Sequence, residues 1–155
     1  MILTDQIKEE IRTQCEQCGH HQAACIDAML IAQRHLGWLS DETVHELAVF
    51  LGMTLEEVDS LATFYNRLYR QPVGRHVILI CDSVSCWIMG YEQILEHLNQ
   101  KFGVRLGETT PDGRFTLLPT QCLGACDRAP ALMIGEELYS NLDPVALDEI
   151  LEKFK

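Results

Sequence analysis

Two pairs of cysteines, each following a strand-like apolar run, constrain this chain more than any other feature. The run HVILI (76–80) is followed by Cys81 and Cys86, and the run RFTLLP (114–119) is followed by Cys122 and Cys126. HVILI is apolar without alternation, which is typical of a strand buried on both faces. Thiolate sulfur is the soft ligand that selects zinc, cuprous ions or iron-sulfur clusters. The sequence therefore predicts that two sulfur-bearing loops converge on one metal site.

The spacing within each cysteine pair helps to distinguish a zinc site from an iron-sulfur cluster. Four residues lie between Cys81 and Cys86, and three lie between Cys122 and Cys126. Structural zinc sites usually take at least one pair from a turn with two intervening residues. Wider gaps suit two irons bridged by sulfide, and cluster proteins use gaps of this size. We therefore favour a two-iron cluster, and a zinc-stabilised interaction module without a redox role stays open as the alternative.

The residues around the four cysteines predict the surroundings of such a cluster. Ser83, Ser85 and Gly124 are small, so backbone amides can approach the cluster sulfurs. We expect a helix to begin soon after Cys86 and to direct its positive end at the cluster. Four residues are expected to form an apolar wall that limits water: Leu117, Leu118, Leu123 and Pro130.

The segment before RQPVGRH (70–76) predicts a helical bundle over residues 1–71. One helix is expected to close at Gly37, and a second runs from Ser40 to Gly52. A third opens with Thr54 and Glu57, the spacing at which each side chain satisfies the other's backbone amide. This third helix is expected to bury a stripe of Val58, Leu61, Tyr65 and Leu68.

Residues 72–155 read as strand, helix, strand, strand, strand, helix, which predicts an α/β sheet layered with helices. The turn PDG (111–113) precedes the second strand, and Gly135 divides the third and fourth strands into a hairpin. Asp143 and Pro144 begin the last helix. The helix after Cys86 is expected to end at Gly103 and to bury one face made of Ile88, Tyr91, Leu95, Leu98 and Phe102.

Composition limits the cellular compartment and the partners that we expect for the protein. The chain has seven cysteines, an odd number that makes a disulfide framework a poor interpretation. No apolar run approaches the roughly 20 residues that span a bilayer, and the start MILTDQIKEE lacks the parts of a signal peptide. We therefore expect a cytoplasmic protein. Its formal charge of −11 disfavours nucleic acid and anionic lipid as partners.

The segment CEQCGHH (15–21), together with Cys25, raises the hypothesis of a second metal or redox site. Two cysteines two residues apart followed by histidines can hold zinc, but a distant second ligand pair is missing. A thiol-disulfide oxidoreductase using Cys15 and Cys18 is a further alternative. We favour ordinary helical residues, because cysteines at this spacing lie one turn apart in a helix.

Two long segments, ATFYNRLYRQPVGRHVILICDSVSC (62–86) and DGRFTLLPTQCLGACDRAPALMI (112–134), resemble the [2Fe-2S] subunit of bacterial NADH:quinone oxidoreductase, respiratory complex I, called the NuoE family. The likeness extends over nearly the whole chain. It implies an oxidoreductase subunit with a thioredoxin-like ferredoxin domain that holds one [2Fe-2S] cluster per chain, behind an N-terminal helical bundle. By this resemblance the cluster ligands are Cys81, Cys86, Cys122 and Cys126.

The same resemblance implies partners and a location. A flavoprotein partner holds both NADH and FMN, and the cluster exchanges single electrons with the FMN. This fits the sequence, which has no Gly-rich dinucleotide loop of its own. Other subunits of the peripheral arm complete the complex on the cytoplasmic face of the inner membrane, without direct membrane insertion. A homodimer of the isolated subunit stays open as an alternative. Related proteins are diaphorase subunits of NAD-linked hydrogenases and formate dehydrogenases, and the sequence leaves that alternative open.

Overall fold

The computed structural model describes residues 2–154. The chain divides into two compact units, one ending at Pro72 and the other beginning at Val73, and each is described by itself. None of the helices in the described part of the chain is long and apolar enough to cross a membrane.

The first unit is a bundle of four α-helices and one short 3₁₀ turn. Three of its helices begin after a capping residue, because the side-chain oxygens of Thr4, Ser40 and Thr54 accept hydrogen bonds from backbone N–H groups of the first turn. The elements are α1 (Asp5–Cys18), the 3₁₀ turn (His21–Ala24), α2 (Cys25–Leu36), α3 (Asp41–Leu51) and α4 (Leu55–Phe64).

The predicted helix boundaries of this unit are confirmed at Gly37, Ser40 and Gly52. Thr54 and Glu57 form the reciprocal capping box that their spacing predicts. The predicted buried stripe of the third helix is wrong at Tyr65, which is 40% exposed. The reason is that α4 ends at Phe64 and the chain becomes extended at Tyr65, so the helical period no longer applies there.

The second unit is a four-stranded sheet with helices, in the strand order β2-β1-β3-β4. Strand β1 pairs in parallel with β2 and antiparallel with β3, and β3 pairs antiparallel with β4. The elements are β1 (His76–Cys81), α5 (Val84–Ile88), α6 (Tyr91–Phe102), β2 (Phe115–Thr120), a 3₁₀ turn (Cys126–Arg128), β3 (Ala131–Ile134), β4 (Glu137–Ser140) and α7 (Pro144–Glu152). The predicted α/β class is confirmed.

Strand β1 lies inside the sheet, and its residues from Val77 to Cys81 are buried, as its unbroken apolar run predicts. The hairpin is also confirmed, because Gly135 adopts a φ of +62° between β3 and β4. The core around the sheet includes Ile78, Ile80, Ile94, Leu98, Phe115, Leu117, Leu132, Leu147 and Leu151.

The helix predicted after Cys86 is confirmed at its end, Gly103, but its start is wrong. Helix α5 begins before this cysteine, at Val84, and a break separates α5 from α6. Gly90 adopts a φ of +122° at the break, a backbone conformation that only glycine takes readily. Ile88 therefore leaves the predicted buried face and is 68% exposed.

Candidate metal centre

The parallel pairing of β1 and β2 brings the two cysteine loops to the same edge of the sheet. In the strand register Cys81 lies opposite Thr120, the last residues of the two strands. The register continues one residue further, since the N–H of Asp82 donates to the carbonyl of Thr120 at 3.1 Å. Cys122 follows only two residues after Thr120. Because parallel strands end at one edge, cysteines forty-one positions apart in sequence become neighbours.

The first pair, Cys81 and Cys86, is buried, with 2% exposure for each residue. Cys86 lies within α5, where it interacts with the Cys81 thiol. Burial is the main cause that raises the pKa of Cys86 to about 11, and the hydrogen bond with Cys81 adds to it. A backbone hydrogen bond from Ala131, at the start of β3, acts in the opposite direction. This half of the site is therefore dry, and the Cys86 thiol stays protonated until a metal replaces the proton.

The second pair, Cys122 and Cys126, is exposed, and the two Sγ atoms lie 3.2 Å apart. The backbone N–H of Gly124 donates to the Cys122 Sγ at 3.4 Å, and this bond is the main cause that lowers the pKa of Cys122. The pKa of Cys126 is raised, chiefly by its hydrogen bond with Cys122, although the Ser85 hydroxyl acts against this. The loop therefore stabilises negative charge on Cys122 first.

All four thiols belong to one interacting group. Cys81 interacts with Cys86, with Cys122 and with Cys126. Cys126 interacts in addition with Cys86 and with Cys122. The two cysteine loops therefore lie together where β1 and β2 end. Within residues 2–154 no group of three or more His, Cys, Asp or Glu side chains is arranged around a single ion position. A two-iron cluster needs no such group, because each iron takes two protein thiolates and two sulfides.

The apolar wall differs from the prediction. The buried thiols Cys81 and Cys86 pack with three alanines, Ala125, Ala129 and Ala131, and Leu123 packs against this group. Leu117 belongs instead to the main core of the unit, with the buried residues around the sheet. The small alanine side chains leave the backbone close to the sulfurs, which favours N–H···S hydrogen bonds.

The other three cysteines belong to the first unit. Cys15 and Cys18 are in the last turn of α1, and Cys25 begins α2. Burial raises the pKa of Cys15, with a smaller effect of Cys18, and burial raises that of Cys25 to about 11. Thiolates are the reactive form, so Cys15 and Cys25 are poor nucleophiles. The structure does not place these cysteines at a strand-to-helix junction, where dithiol redox sites lie.

Comparison with known proteins identifies the fold and the family. Residues 9–155 match the sequence model of the thioredoxin-like [2Fe-2S] ferredoxins. The chain belongs to the thioredoxin-like [2Fe-2S] ferredoxin family. It is 46% identical over 148 residues to the E subunit of the NADH-quinone oxidoreductase of Escherichia coli K12, covering 96% of this chain and 89% of that one. It is 41% identical over 160 residues to the E subunit of the Pseudomonas aeruginosa enzyme, covering 99% and 96%. The resemblance inferred from the sequence is thereby confirmed.

The ferredoxin fold also recurs within a larger protein. A chain of an NAD⁺-reducing [NiFe]-hydrogenase matches 84% of this ferredoxin with a TM-score of 0.72 and 27% sequence identity. The match takes up 22% of the hydrogenase chain. The ferredoxin therefore corresponds to about a fifth of that polypeptide.

Sequence reasoning missed two features of this ferredoxin site. The first is the hydrogen bond from Ala131 to Cys86, which comes from a strand forty-five positions away and has no signal in the local sequence. The second is the outward face of α5 and the residue after it, where Val84, Trp87, Ile88 and Met89 are all exposed. Gly90 was the available signal for the second, because a glycine in this position ends the helical pattern before the core is reached.

Proposed function

We propose that this chain is the electron-transfer subunit of an NADH-quinone oxidoreductase, and that Cys81, Cys86, Cys122 and Cys126 hold one [2Fe-2S] cluster. The observation that carries the proposal is the convergence of these four thiols at the shared end of two parallel strands. The family match and the similarity to E subunits of NADH-quinone oxidoreductases support the same assignment.

The residues present fit a two-iron cluster. The donor set is entirely sulfur, which is the ligand type that such clusters require. When bound, the cluster would accept and release one electron. The N–H groups of Gly124 and Ala131 already point at sulfur, and such donors stabilise the more negative, reduced charge state. The buried pair excludes water on one side, and the exposed pair leaves the other side open to a redox partner.

The partner in this proposal is a flavoprotein that holds both FMN and NADH. This chain would then exchange single electrons with the reduced flavin, among the other subunits of the peripheral arm. We place the assembly on the cytoplasmic face of the inner membrane. The relatives are named as E subunits of NADH-quinone oxidoreductases, which supports a multi-subunit setting for this chain.

We propose further that the two compact units act as two domains, residues 1–71 and 72–155. The first unit has its own buried core. An exposed aromatic pair lies at the end of its helix α4, where Phe64 is 78% exposed and its ring lies 5.1 Å from that of Tyr65. An exposed aromatic pair is typical of a binding surface. We assign it to the flavoprotein partner, and a homodimer of the isolated chain is the alternative use.

A second candidate function is the diaphorase [2Fe-2S] subunit of an NAD-linked hydrogenase or formate dehydrogenase. The hydrogenase match over 84% of this chain favours it, while the greater identity to the quinone-linked E subunits favours the first candidate. Mass spectrometry of the assembly purified natively separates the two. Quinone-reductase subunits co-purify in the first case, and a hydrogenase or formate dehydrogenase subunit co-purifies in the second.

The metal itself is tested on the purified chain. We expect a brown protein with two irons and two sulfides per chain and a paramagnetic signal on reduction, as a [2Fe-2S] cluster requires. A colourless protein that contains zinc would contradict the proposal and would support the zinc-stabilised interaction module.

A further inference from the structure

We propose that the electron-exchanging flavoprotein docks on the outward face of α5, formed by Val84, Trp87 and Ile88, together with Met89, which follows the helix. This surface is called here the α5 patch. We infer that this flavoprotein presents an apolar centre surrounded by basic residues. This inference rests on the proposed function, because it assigns the surface through which that function operates.

The α5 patch is unusual for its concentration of exposed apolar surface. Its residues fall within six consecutive positions and have exposed fractions of 71%, 57%, 68% and 60% in chain order. Single exposed apolar side chains are common on protein surfaces and need no explanation. A contiguous apolar group with a tryptophan is characteristic of an interface, since Trp is among the residues that contribute most to binding energy.

The location of the patch connects it to electron transfer. Helix α5 carries Cys86 on its inner side, where the thiol is buried with Cys81. The opposite side of the same short helix carries the patch. A protein that covers the patch therefore approaches the proposed cluster to within about the width of one helix, roughly 10 Å. Close approach of the two redox groups is what electron exchange requires.

The charges beside the patch argue for a flavoprotein with a basic rim. Asp82 precedes the patch and is exposed, and Asp127, 75% exposed, lies next to the ligand candidate Cys126. The neighbouring cation, Arg128, is paired with Asp127 at 3.6 Å. The whole chain carries a formal charge of −11. A second copy of this chain would bring acid against acid, whereas a basic rim would be attracted and steered to the patch.

The binding experiment uses the full chain with its cluster and the flavoprotein subunit of the same organism's NADH-quinone oxidoreductase. The test variant is Ile88→Glu, with Val84→Glu as a second variant at an equally exposed position. The matched control is Val145→Glu, which places the same charge at a 69% exposed valine in α7 of the same unit. Cluster absorption and circular dichroism establish that each variant is folded and loaded.

We expect Ile88→Glu and Val84→Glu to raise the Kd for the flavoprotein at least about tenfold, because a buried charge in an apolar interface core has no partner. Val145→Glu should change the Kd by less than about twofold, because it lies outside the patch. Asp82→Asn should weaken binding mainly at low salt, because it removes a rim charge whose attraction is screened by ions.

Tryptophan fluorescence gives a second readout. The chain has two tryptophans, so a Trp38→Phe background leaves Trp87 as the reporter. We expect the Trp87 emission to shift to shorter wavelength when the flavoprotein is added, because the indole leaves water. The emission should stay unchanged when the chain is concentrated alone.

The outcomes separate the two proposals. If the wild-type chain binds the flavoprotein and Ile88→Glu and Val84→Glu bind equally well, the α5 patch is not the docking surface, while the proposed function stands. If the loaded wild-type chain neither binds the flavoprotein nor exchanges electrons with it, the proposed function fails and this inference fails with it. A Trp87 shift that depends only on the concentration of this chain assigns the patch to a second copy and overturns the inference.

Discussion

Cys81 and Thr120 occupy matching last positions of the parallel strands β1 and β2. This register decides the geometry of the whole site, because the loops that carry Cys86 and Cys122 both start from it. A slip of one residue would turn Cys81 to the other face of the sheet. The apolar residues of both strands prevent such a slip, since it would move Ile78 and Leu117 out of the core.

Alkylation of the metal-free protein should distinguish the two cysteine pairs. Cys122 is exposed and the Gly124 N–H lowers its pKa, whereas burial raises the pKa of Cys86 to about 11. Since only the thiolate reacts, we expect iodoacetamide at neutral pH to modify Cys86 at least about a hundredfold more slowly than Cys122. Peptide mass spectrometry over time measures both rates.

Loading the protein with iron and sulfide should then protect Cys86 and Cys122 alike. Cys18, a partly buried cysteine of the first unit, serves as the internal control and should react equally in both forms. Equal alkylation rates at Cys86 and Cys122 in the metal-free protein would contradict the difference in burial and pKa between these two thiols.

The core of the second unit should depend strongly on Phe115. This ring is fully buried, and its centroid lies 5.3 Å from the ring centroid of Phe102 and 5.8 Å from that of His76. We expect Phe115→Ala to lower the free energy of unfolding by about 3–5 kcal/mol, through lost transfer energy and the cavity that remains. Urea titration followed by circular dichroism measures the change. Val145→Ala, at an exposed position, should keep a free energy of unfolding within about 0.5 kcal/mol of the wild-type value. A change as small as this in Phe115→Ala would contradict the packing described for this ring.

Local chemistry explains which parts of the fold were predictable. The capping box of Thr54 and Glu57 and the hairpin at Gly135 depend on neighbouring residues, so their spacing in the sequence is sufficient to predict them. The end of α4 before Tyr65 depends on the packing of its unit, and the helical period of the sequence gives no sign of it. The break before α6 does have a local signal in Gly90, which the helical period of the apolar residues obscures.

The site shows the same division. The four cysteines could be named as ligand candidates because their types and spacing are visible in the chain. The sequence could not predict that Cys86 is buried while Cys122 is exposed, because this difference follows from where β3 and its neighbouring alanines pack. The N–H contributed by Ala131 likewise requires the antiparallel pairing of β1 and β3.

The stability of the second unit should fall in mild acid through His76. Burial is the main cause that lowers the pKa of His76 below 6.5, with Arg75 and Arg114 contributing. The unfolded chain therefore takes up the proton first as the pH falls. The contribution of neutral His76 to the stability of the fold is complete above about pH 6.5. It is lost as the pH drops towards the lowered pKa that His76 has in the folded protein.

The variant His76→Leu tests this directly, because it keeps an apolar contact with Phe115 and Phe154 and removes the titration. We expect the urea midpoint to fall less between about pH 7.5 and about pH 5.5 in the variant than in wild type. Val145→Ala, at an exposed position of α7 without a titratable group, is the control that should retain the wild-type slope. An unchanged slope in His76→Leu would assign the acid sensitivity elsewhere.

The helical unit should contribute to binding of the flavoprotein. We expect a fragment that lacks residues 1–70 to bind the flavoprotein at least about tenfold more weakly than the full chain, because it loses the exposed Phe64 and Tyr65 pair. Phe64→Ser in the full chain isolates the aromatic contribution. Isothermal titration measures each Kd, and undiminished affinity of the fragment would rule out this role for the bundle.

The most direct measurement is iron content and electron paramagnetic resonance of the reduced protein, compared between Cys122→Ala and Cys18→Ala. Both replace a cysteine that is not fully buried, but only Cys122 belongs to the interacting thiol group. We predict two irons per chain and an intact signal in Cys18→Ala, and loss of both in Cys122→Ala. A Cys122→Ala protein that keeps its iron and its signal would contradict the assignment of the four cysteines.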